Sequence, residues 1–266
     1  MNISRLNSEK PTTCSICSCT YISQYGEKDF GHSGNDHFSG SRQFPDYKVP
    51  VKYHKCNSCG FVFSAIFDKW QPEDFTKYIY NDEYSRADPP FLGDRAKENS
   101  KLLQTIFPHE LESRKILDIG AGTGILSEEL MNYGITVTNY DPFYGYDNDV
   151  TGDTFDLITS FEVIEHVTHF SQKRWMNKLA SFLSKTNNAI VMVSTILLGE
   201  HDINWWYICP RNGHISIHTK KSLSILAKCS GLELVSISKG MHFLRWPDTQ
   251  AEFSELEHTV PAISSR

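Results

Sequence analysis

Short apolar runs alternate with amphipathic segments through the second half of the chain. Five of the runs predict buried strands, and apolar residues recur at helical spacing between them. This alternation predicts a parallel sheet covered by helices on both faces. The predicted strands are 115–118, 136–140, 155–159, 189–193 and 232–236, and the predicted helices are 125–133, 171–183 and 220–229. Gly134 and Gly231 lie where two of these helices should end. Glycine is common at such ends because it tolerates the left-handed cap conformation.

The first part of the chain follows a different pattern. Residues 12–63 are rich in Cys, Gly, His and Ser, which is typical of a loop-rich module that needs a cross-link. Apolar residues at helical spacing follow over 94–107. We therefore predict a cysteine-rich module over 1–67, a linker and lead-in helix over 68–107, and an α/β domain over 108–266.

Composition and charge narrow the class of protein. The 266 residues are 39% hydrophobic and 22% charged, as expected for a globular protein with a sizeable core. A formal net charge of −6 disfavours a nucleic-acid partner, because such proteins usually carry a basic face. Residues 1–11 lack the apolar core of a secretory signal, and the longest apolar run, 189–198, is too short to cross a bilayer. We expect a cytoplasmic protein without a membrane span.

The strand predicted over 115–118 runs directly into a loop with three closely spaced glycines and then into a helix. Glycine at Gly120, Gly122 and Gly124 would let a ligand approach the backbone. The dinucleotide fingerprint has its third glycine three positions after the second, whereas here the interval is two, which disfavours NAD. Asp118 places a carboxylate at the carboxyl end of the strand, where open α/β sheets bind ligands.

A second carboxylate, Asp141, ends the next predicted strand, 23 residues after Asp118. Folds of this type place an acid there to bind ribose hydroxyls. Over about residues 90–246, these features resemble the class I S-adenosylmethionine-dependent methyltransferases. The resemblance implies a Rossmann-like sheet with helices on both faces and S-adenosylmethionine as the cofactor. It implies these cofactor-binding residues: Asp118, Gly120, Gly122, Gly124, Asp141 and Glu162.

The interval after Asp141 departs from the family pattern. Before the strand predicted at residue 155, there is little room for the third strand and helix of larger family members. The acid that usually contacts adenine falls in this interval, and Asp147, Asp149 and Asp153 are the candidates. Each of the three also fits the description of a solvated loop residue.

An acid-acid-histidine cluster follows the strand predicted over 155–159. Glu162, Glu165 and His166 are spaced so that they would lie together on one helical turn. Many class I methyltransferases resemble this segment in carrying Glu-His here, and a neutral histidine can remove the proton from a substrate hydroxyl. His166 is then the expected base. In the alternative interpretation, Glu165 and His166 only cap or orient the following helix.

The same cluster, taken with a distant histidine, resembles the metal site of ubiquinone-biosynthesis O-methyltransferases and of small-RNA 2′-O-methyltransferases. The resemblance implies a second metal site formed by Glu162, Glu165, His166 and His214, with His218 and His169 as alternatives. Magnesium, manganese or zinc there would hold vicinal oxygens and lower the pKa of the attacked hydroxyl.

Two C-x-x-C knuckles lie at the two ends of the cysteine-rich module. Cys14, Cys17, Cys56 and Cys59 have the spacing at which four thiolates can reach one tetrahedral ion. In a reducing compartment such pairs more often bind metal than form disulfides, so we expect structural zinc, and a redox role is the competing interpretation. The residues that could replace a ligand are Cys19, His32, His37 and His54.

Together these features predict methyl transfer to a small polar acceptor, most simply a hydroxyl of a sugar or of a secondary-metabolite or glycan precursor. Aromatic residues in the segment 204–214 could stack on such a ring. A zinc ribbon before a class I domain resembles bacterial sugar C-methyltransferases, which makes carbon the alternative methylated atom. Two rival functions are an RNA 2′-O-methyltransferase and a non-catalytic protein that binds a protein partner through its zinc ribbon.

Overall fold

The computed structural model describes residues 11–146, 150 and 152–247. The strands of these segments form a six-stranded sheet and a four-stranded sheet. The strands are β1 (Ile22–Asp29), β2 (Pro50–Cys56), β3 (Val62–Phe63), β4 (Ile116–Ile119), β5 (Val137–Tyr140), β6 (Leu157–Phe161), β7 (Ile190–Ser194), β8 (Ser216–Ile217), β9 (Glu233–Ser236) and β10 (Met241–Arg245). The α-helices are α1 (Asn35–Phe38), α2 (Pro72–Tyr78), α3 (Tyr84–Ala87), α4 (Asp94–Ile106), α5 (Ile125–Met131), α6 (Gln172–Phe182) and α7 (Lys220–Cys229).

The six-stranded sheet has the order β5-β4-β6-β7-β10-β9. Strands β5, β4, β6 and β7 pair in parallel, and all five strands predicted from the sequence belong to this sheet. The prediction of an entirely parallel sheet is wrong in one respect. Strand β10, which the sequence analysis did not identify, lies between β7 and β9 and is antiparallel to both. The expected Rossmann-like α/β class is confirmed.

Helices cover both faces of this sheet, as predicted. Successive side chains of a strand point to opposite faces, so Ile116 and Leu117 of β4 belong to different hydrophobic clusters. The cluster around Ile116 includes residues of α4 and α5, and the cluster around Leu117 includes residues of α6 and α7. Because both faces are covered, the residues of β4, β6 and β7 are buried throughout and read as continuous apolar runs.

Glycines end two of the covering helices in the same way. The N–H of Gly231 donates to the carbonyl of Lys228, and the next N–H donates to the carbonyl of Ala227. Gly134 makes the equivalent bond to Met131 after α5. Both glycines have left-handed φ values, 75° and 76° respectively. The predicted glycine caps are therefore present and satisfy the last carbonyls of both helices.

The stretch after β5 contains no strand among its described residues, so β5 forms the edge of the sheet. This agrees with the short interval noted in the sequence. Asp147 and Asp149 lie outside the described residues. Asp153 is exposed and forms an ion pair with Lys115, with 2.7 Å between the carboxylate and the ammonium nitrogen. Asp153 therefore fits the interpretation as a solvated loop residue better than that as an adenine-contacting acid.

The four-stranded sheet has the order β1-β2-β3-β8 and is antiparallel throughout. Its fourth strand, β8, comes from the part of the chain that follows the large sheet's strand β7. One hydrophobic cluster includes Cys14 and Cys56 of the amino-terminal region together with Leu223 and Leu226 of α7. The cysteine-rich region thus shares its core with the α/β domain. None of the helices in the described segments is long and apolar enough to span a bilayer.

Candidate functional site

A cavity of about 1310 Å³ lies at the carboxyl ends of β4, β5 and β6. Ligands of open α/β folds bind at this edge of the sheet. The glycine loop, the segments after β5 and β6, and helix α4 all contribute to its walls. Residues from α1 and from the segment after β7 also line it. The cavity therefore joins the expected cofactor residues to the acid-histidine cluster.

Asp118 stands at the floor of this cavity. Its carboxylate is buried and accepts a hydrogen bond of 2.6 Å from the Thr159 hydroxyl on β6. Burial raises the pKa of Asp118 to about 6. The next residue but one, Gly120, has a left-handed φ of 82°, and a Cβ there would overlap the side chain of Val163. Glycine is thus required both by the backbone conformation and by the closeness of the segment after β6.

Asp141 fixes the glycine loop from the neighbouring strand. Its two carboxylate oxygens accept backbone N–H bonds of 2.9 Å from Gly122 and from Phe143. Burial raises the pKa of Asp141, whereas these backbone bonds oppose the shift. Each carboxylate oxygen has a second lone pair, so Asp141 can accept further bonds from a ligand in the cavity that it lines.

The acid-histidine segment differs from the single helical turn that we predicted. A 3-10 turn over Ile164–His166 carries Glu165 and His166, while Glu162 precedes this turn. Glu162 has a left-handed φ of 53°, a conformation that costs a non-glycine residue roughly 1 to 3 kcal/mol. Its backbone N–H and its carboxylate oxygen Oε1 both bond to Ser194 on β7, the latter at 2.9 Å. The strained backbone is therefore held by the adjacent strand.

Glu165 is completely buried beneath the cavity. The Tyr207 hydroxyl donates a 2.6 Å hydrogen bond to its oxygen Oε1. Among the described residues, the other carboxylate oxygen, Oε2, has no hydrogen-bond partner. Burial and the nearby charge of Glu162 raise the pKa of Glu165 well above its usual value. A neighbouring cation or a bound proton would satisfy this group.

His166 and His214 face each other across the cavity wall, with ring centroids 4.9 Å apart and nearly perpendicular rings. His214 Nδ1 donates to the carbonyl of Tyr207 at 2.8 Å, so that Nε2 is the unprotonated nitrogen of the neutral ring. Burial lowers the pKa of His214 to about 3, and it lowers the pKa of His166 well below its usual range. Both imidazoles are therefore neutral near pH 7.

The ligand atoms of Glu165, His166 and His214 lie within 4.8 Å of one another. Two imidazoles and one carboxylate suit zinc, manganese or iron, whereas magnesium prefers oxygen ligands. Glu162 is outside this group, and its carboxylate oxygen Oε1 accepts a hydrogen bond from the Ser194 hydroxyl instead.

The alternative ligands His218 and His169 are used elsewhere. His218 has ring nitrogens within hydrogen-bond distance of Gln172 and Ser222, and His169 contacts Ser15. Neither belongs to the group around Glu165.

Several residues that the sequence analysis did not single out complete the site. Tyr207 bonds to Glu165 and to Thr195, although in the sequence it is only one member of an aromatic segment. Arg95 of α4 lines the cavity and donates to both oxygens of Asp88, at 2.9 and 2.7 Å. Its position in an amphipathic helix gave no signal, because a charged residue on a helix face is usually solvated.

Aromatic side chains from two distant parts of the chain meet in the wall of the cavity. Phe38 of α1 packs edge-on against Trp206, with 4.8 Å between ring centroids. Both residues line the cavity, and Phe38 remains 45% exposed. Trp205 is instead buried in the core formed by β2, β3 and β8. The cysteine-rich region thus supplies part of the cavity wall.

The four cysteines of the two knuckles converge on one point. The Sγ atoms of Cys14 and Cys59 are 3.7 Å apart and those of Cys17 and Cys56 are 3.5 Å apart, while all four lie within 4.8 Å of one another. Zinc–sulfur bonds of about 2.3 Å give a tetrahedron with edges of about 3.8 Å, so the donor set fits zinc. Each knuckle is followed by a left-handed residue, Ser18 or Gly60.

The four thiols are close enough to change one another's protonation. A hydrogen bond from Cys59 lowers the pKa of Cys14 to about 5, and burial raises the pKa of Cys56 to about 11. A divalent cation would stabilise all four thiolates. Cys19, His32, His37 and His54 are not part of this cluster.

Comparison with known proteins gives a family match. A family model described as a methyltransferase domain matches residues 91–237. A ubiquinone biosynthesis O-methyltransferase of Methylobacterium nodulans is 36% identical over 83 residues, which cover 23% of this chain and 33% of that protein. The protein of the same description from Rhizobium etli is 29% identical over 129 residues, covering 40% and 51% respectively. The matches thus span about a third to a half of the relatives' length.

Solved structures of similar fold include the mitomycin 7-O-methyltransferase MmcR. It aligns with a TM-score of 0.46 at 13% identity and covers 68% of this chain and 62% of its own.

Proposed function

The chain belongs to the methyltransferase family whose model matches residues 91–237, and we propose that it transfers a methyl group from S-adenosylmethionine to a hydroxyl oxygen of a small polar acceptor. One observation carries the proposal. A single cavity is lined both by the glycine loop with Asp141 and by the neutral pair His166 and His214. A cofactor and an acceptor bound there would lie next to each other.

The glycine-loop end would hold the cofactor. Asp141 would accept hydrogen bonds from the ribose hydroxyls, and the backbone at Gly120 and Gly122 would contact the methionyl part closely. Arg95 is one of the cationic residues that line the cavity, and it would face the cofactor's carboxylate, with Asp88 keeping the guanidinium oriented. Asp118, buried and bonded to Thr159, would shape the floor.

The histidine end would activate the acceptor. The acceptor hydroxyl gives its proton to a neutral imidazole, for which His166 is our candidate. The oxygen then forms a bond to the methyl carbon as the carbon–sulfur bond breaks, so that the sulfonium becomes a neutral thioether. The captured proton passes to solvent. Positioning of both reactants supplies much of the rate enhancement, because the reaction becomes effectively unimolecular.

A second version of the mechanism adds a divalent ion at Glu165, His166 and His214. The buried atoms Glu165 Oε2 and His166 Nδ1 favour it, because the described part of the chain supplies neither with a partner. Zinc or manganese fits the donor set better than magnesium. Bound there, the ion would act as a Lewis acid toward the acceptor oxygen.

The aromatic wall supports an acceptor that carries a ring. Phe38 and Trp206 offer ring faces and edges in the cavity wall. We propose a hydroxylated ring, such as a sugar or a secondary-metabolite or glycan precursor, with carbon as the alternative methylated atom. The net charge of −6 works against the rival RNA substrate.

Calorimetry and methyl transfer test this proposal together. The full-length protein should bind S-adenosylhomocysteine, whereas NAD should give no heat in the same titration. Transfer from radiolabelled S-adenosylmethionine should then be measured to a dihydroxybenzoate, a nucleotide sugar and a short RNA. Label in either ring compound supports the proposal. Transfer to RNA alone would favour the RNA methyltransferase. Cofactor binding without label transfer to any compound, including those of a cellular extract, would favour the non-catalytic rival.

A further inference from the structure

We propose that the first cysteine knuckle positions the histidine pair of the cavity through a direct contact between Ser15 and His169. The inference rests on the proposed function only in taking that pair as the reactive end of the site. The knuckle is the segment Cys14–Cys17, and the pair is His166 with His214. The cysteine-rich region would then be a working part of the active site in addition to a stabilising one.

Two hydrogen bonds join the knuckle to the segment after β6. The backbone N–H of Ser15 donates to His169 Nε2 at 3.0 Å, and its hydroxyl donates to the carbonyl of His169 at 2.5 Å. Both polar groups of one knuckle residue therefore bind one histidine. Since Ser15 lies between two cysteines of the proposed zinc cluster, its position is fixed by the knuckle.

The same histidine is held on its other sides by the amino-terminal region. Its ring stacks on Phe63 of β3 with 3.9 Å between centroids and an angle of 6°. Because Nε2 accepts from Ser15, the proton of the neutral ring lies on Nδ1, 3.4 Å from an Asp68 carboxylate oxygen. Asp68 also accepts the N–H of Phe170. His169 is completely buried, so the bonds to Ser15 and the stacking on Phe63 restrict its position.

The segment from His169 back to Glu165 is short and tightly bonded. The carbonyl of Val167 accepts from the Ser216 hydroxyl at 2.6 Å and from the Gln172 amide at 2.7 Å. The carbonyl of Glu165 accepts from the N–H of Ile215 at 2.9 Å. The Gln172 amide also donates to the carbonyl of Ile164, so that residues 164–172 form one bonded loop. A displacement of His169 within this loop is therefore expected to reach His166, three residues earlier.

The cysteine-rich region also holds the second histidine. The hydroxyl of Tyr53 on β2 donates to the carbonyl of His214 at 2.8 Å. Strand β8, which begins two residues after His214, pairs with β3. By contrast, Asp118 accepts a bond from Thr159 and Asp141 accepts one from the glycine loop, and neither carboxylate bonds to the described part of the cysteine-rich region. The coupling should therefore reach the histidine pair and leave the cofactor end unchanged.

The test replaces His169 with residues that keep or lose the acceptor for Ser15. H169F retains the stacking on Phe63 but removes the acceptor, whereas H169Q restores an acceptor oxygen. K221M is the matched control, since Lys221 donates to the carbonyl of Ser58 across the same boundary but away from the pair. Imidazole NMR of histidine-labelled full-length protein reads out the pair, with His166 and His214 signals assigned by Gln substitution.

We expect H169F to shift or broaden the ring signals of His166 and His214. The signal of His242, zinc content and affinity for S-adenosylhomocysteine should stay at wild-type values, and H169Q should move the pair's signals back. For any acceptor that the wild type methylates, kcat should fall about 10- to 100-fold in H169F with the KM for the cofactor unchanged. If H169F does not fold, S15A replaces it, because it removes the hydroxyl bond to the carbonyl of His169, with smaller shifts expected at the same two histidines.

Unchanged signals of the pair in folded H169F, or equal shifts in K221M, would overturn the proposal. The NMR readout needs no turnover, so a wild-type protein that fails to methylate any acceptor would refute the proposed function without affecting this result. A failure of the NMR test would equally leave the cofactor-binding result intact.

Discussion

At the scale of single residues, Asp141 is placed for two tasks. Its carboxylate bonds the glycine loop through the N–H of Gly122, and it is the expected acceptor for the ribose hydroxyls. A carboxylate is suited to both, because its two oxygens offer about four lone-pair positions. The loop and the cofactor would therefore share one anchor, so that binding depends on the same group that holds the loop.

This dual role predicts the effect of D141A on cofactor binding. Affinity for S-adenosylhomocysteine should weaken by roughly 1.5 to 3 kcal/mol, because hydrogen bonds to a charged acceptor are lost. D141N should lose less, since the amide oxygen still accepts. Titration calorimetry measures both variants, with D153A as the control because Asp153 is exposed and outside the cavity. Unchanged affinity in D141A would remove Asp141 from the cofactor site.

The two versions of the mechanism predict different effects of a His166 substitution and of a chelator. If His166 acts only as a general base, H166A should lower kcat by about 10²- to 10⁴-fold, and EDTA should have no effect. If a divalent ion is bound, mild EDTA treatment should abolish turnover, and manganese should restore it better than magnesium. H201A is the control, because His201 is exposed and does not line the cavity. Full activity in both H166A and EDTA-treated protein would contradict both versions.

At the scale of elements, the strands and helices with regular apolar patterns could be predicted within about two residues. Strands β4, β6 and β7 are buried on both faces, so their sequences are continuous apolar runs that a pattern identifies. Strand β8 has two residues, and β1 has one buried residue followed by partly or fully exposed ones, so neither has a strong local signal. The pairing of β8 with β3 depends on contacts between residues about 150 positions apart.

Local spacing also gave part of the candidate site. It placed Glu165 and His166 together, but it could not show the left-handed conformation of Glu162, which depends on bonds to Ser194 of another strand. The same limit applies to Tyr207, whose bond to Glu165 is a tertiary contact. Residues brought together by tertiary contacts leave no periodic trace in the sequence.

Strand β10 gives a prediction for pH dependence, because a histidine lies within it. Burial lowers the pKa of His242 to about 4, while the unfolded chain has the ordinary value near 6.5. Below pH 6.5 the unfolded state therefore binds a proton that the folded state does not. The stability associated with a neutral His242 is complete above pH 6.5 and is lost as pH falls toward 4.

Urea unfolding at pH 7.5, 6.0 and 5.0 measures this loss. The contribution of His242 should approach about 1.4 kcal/mol per pH unit below pH 6. H242Q should reduce the slope of the unfolding free energy against pH by an amount equivalent to up to one bound proton. The variant should also be less stable at neutral pH. His218, whose pKa burial lowers to about 3, adds a slope of the same sign that H242Q leaves in place. An identical slope in H242Q and wild type would contradict this assignment.

At the scale of the whole molecule, the cysteine cluster is part of the common core. Cys14, Cys56 and Cys59 belong to the same hydrophobic cluster as Leu117 of β4 and Leu223 of α7. The second knuckle is bonded directly to α7, because the Thr219 hydroxyl that caps this helix also donates to the carbonyl of Cys59 at 2.6 Å. Unfolding of the knuckles should therefore disturb the packing of α7 on the large sheet.

The shared core determines what loss of the proposed zinc should do. We expect about one zinc per chain that survives dialysis, because four thiolates bind the ion tightly, and mild EDTA treatment should leave it in place. C56S should release the zinc and lower the stability of the entire molecule, since the cysteines and α7 are packed together. Thermal unfolding with metal analysis should thus show one transition at lower temperature, and not an intact α/β domain with a separately melted ribbon.

C229S, which changes an exposed cysteine outside the cluster, should match the wild type in both measurements. A folded wild-type protein without zinc would refute the zinc site, and an unshifted α/β transition in zinc-free C56S would refute its coupling to the core.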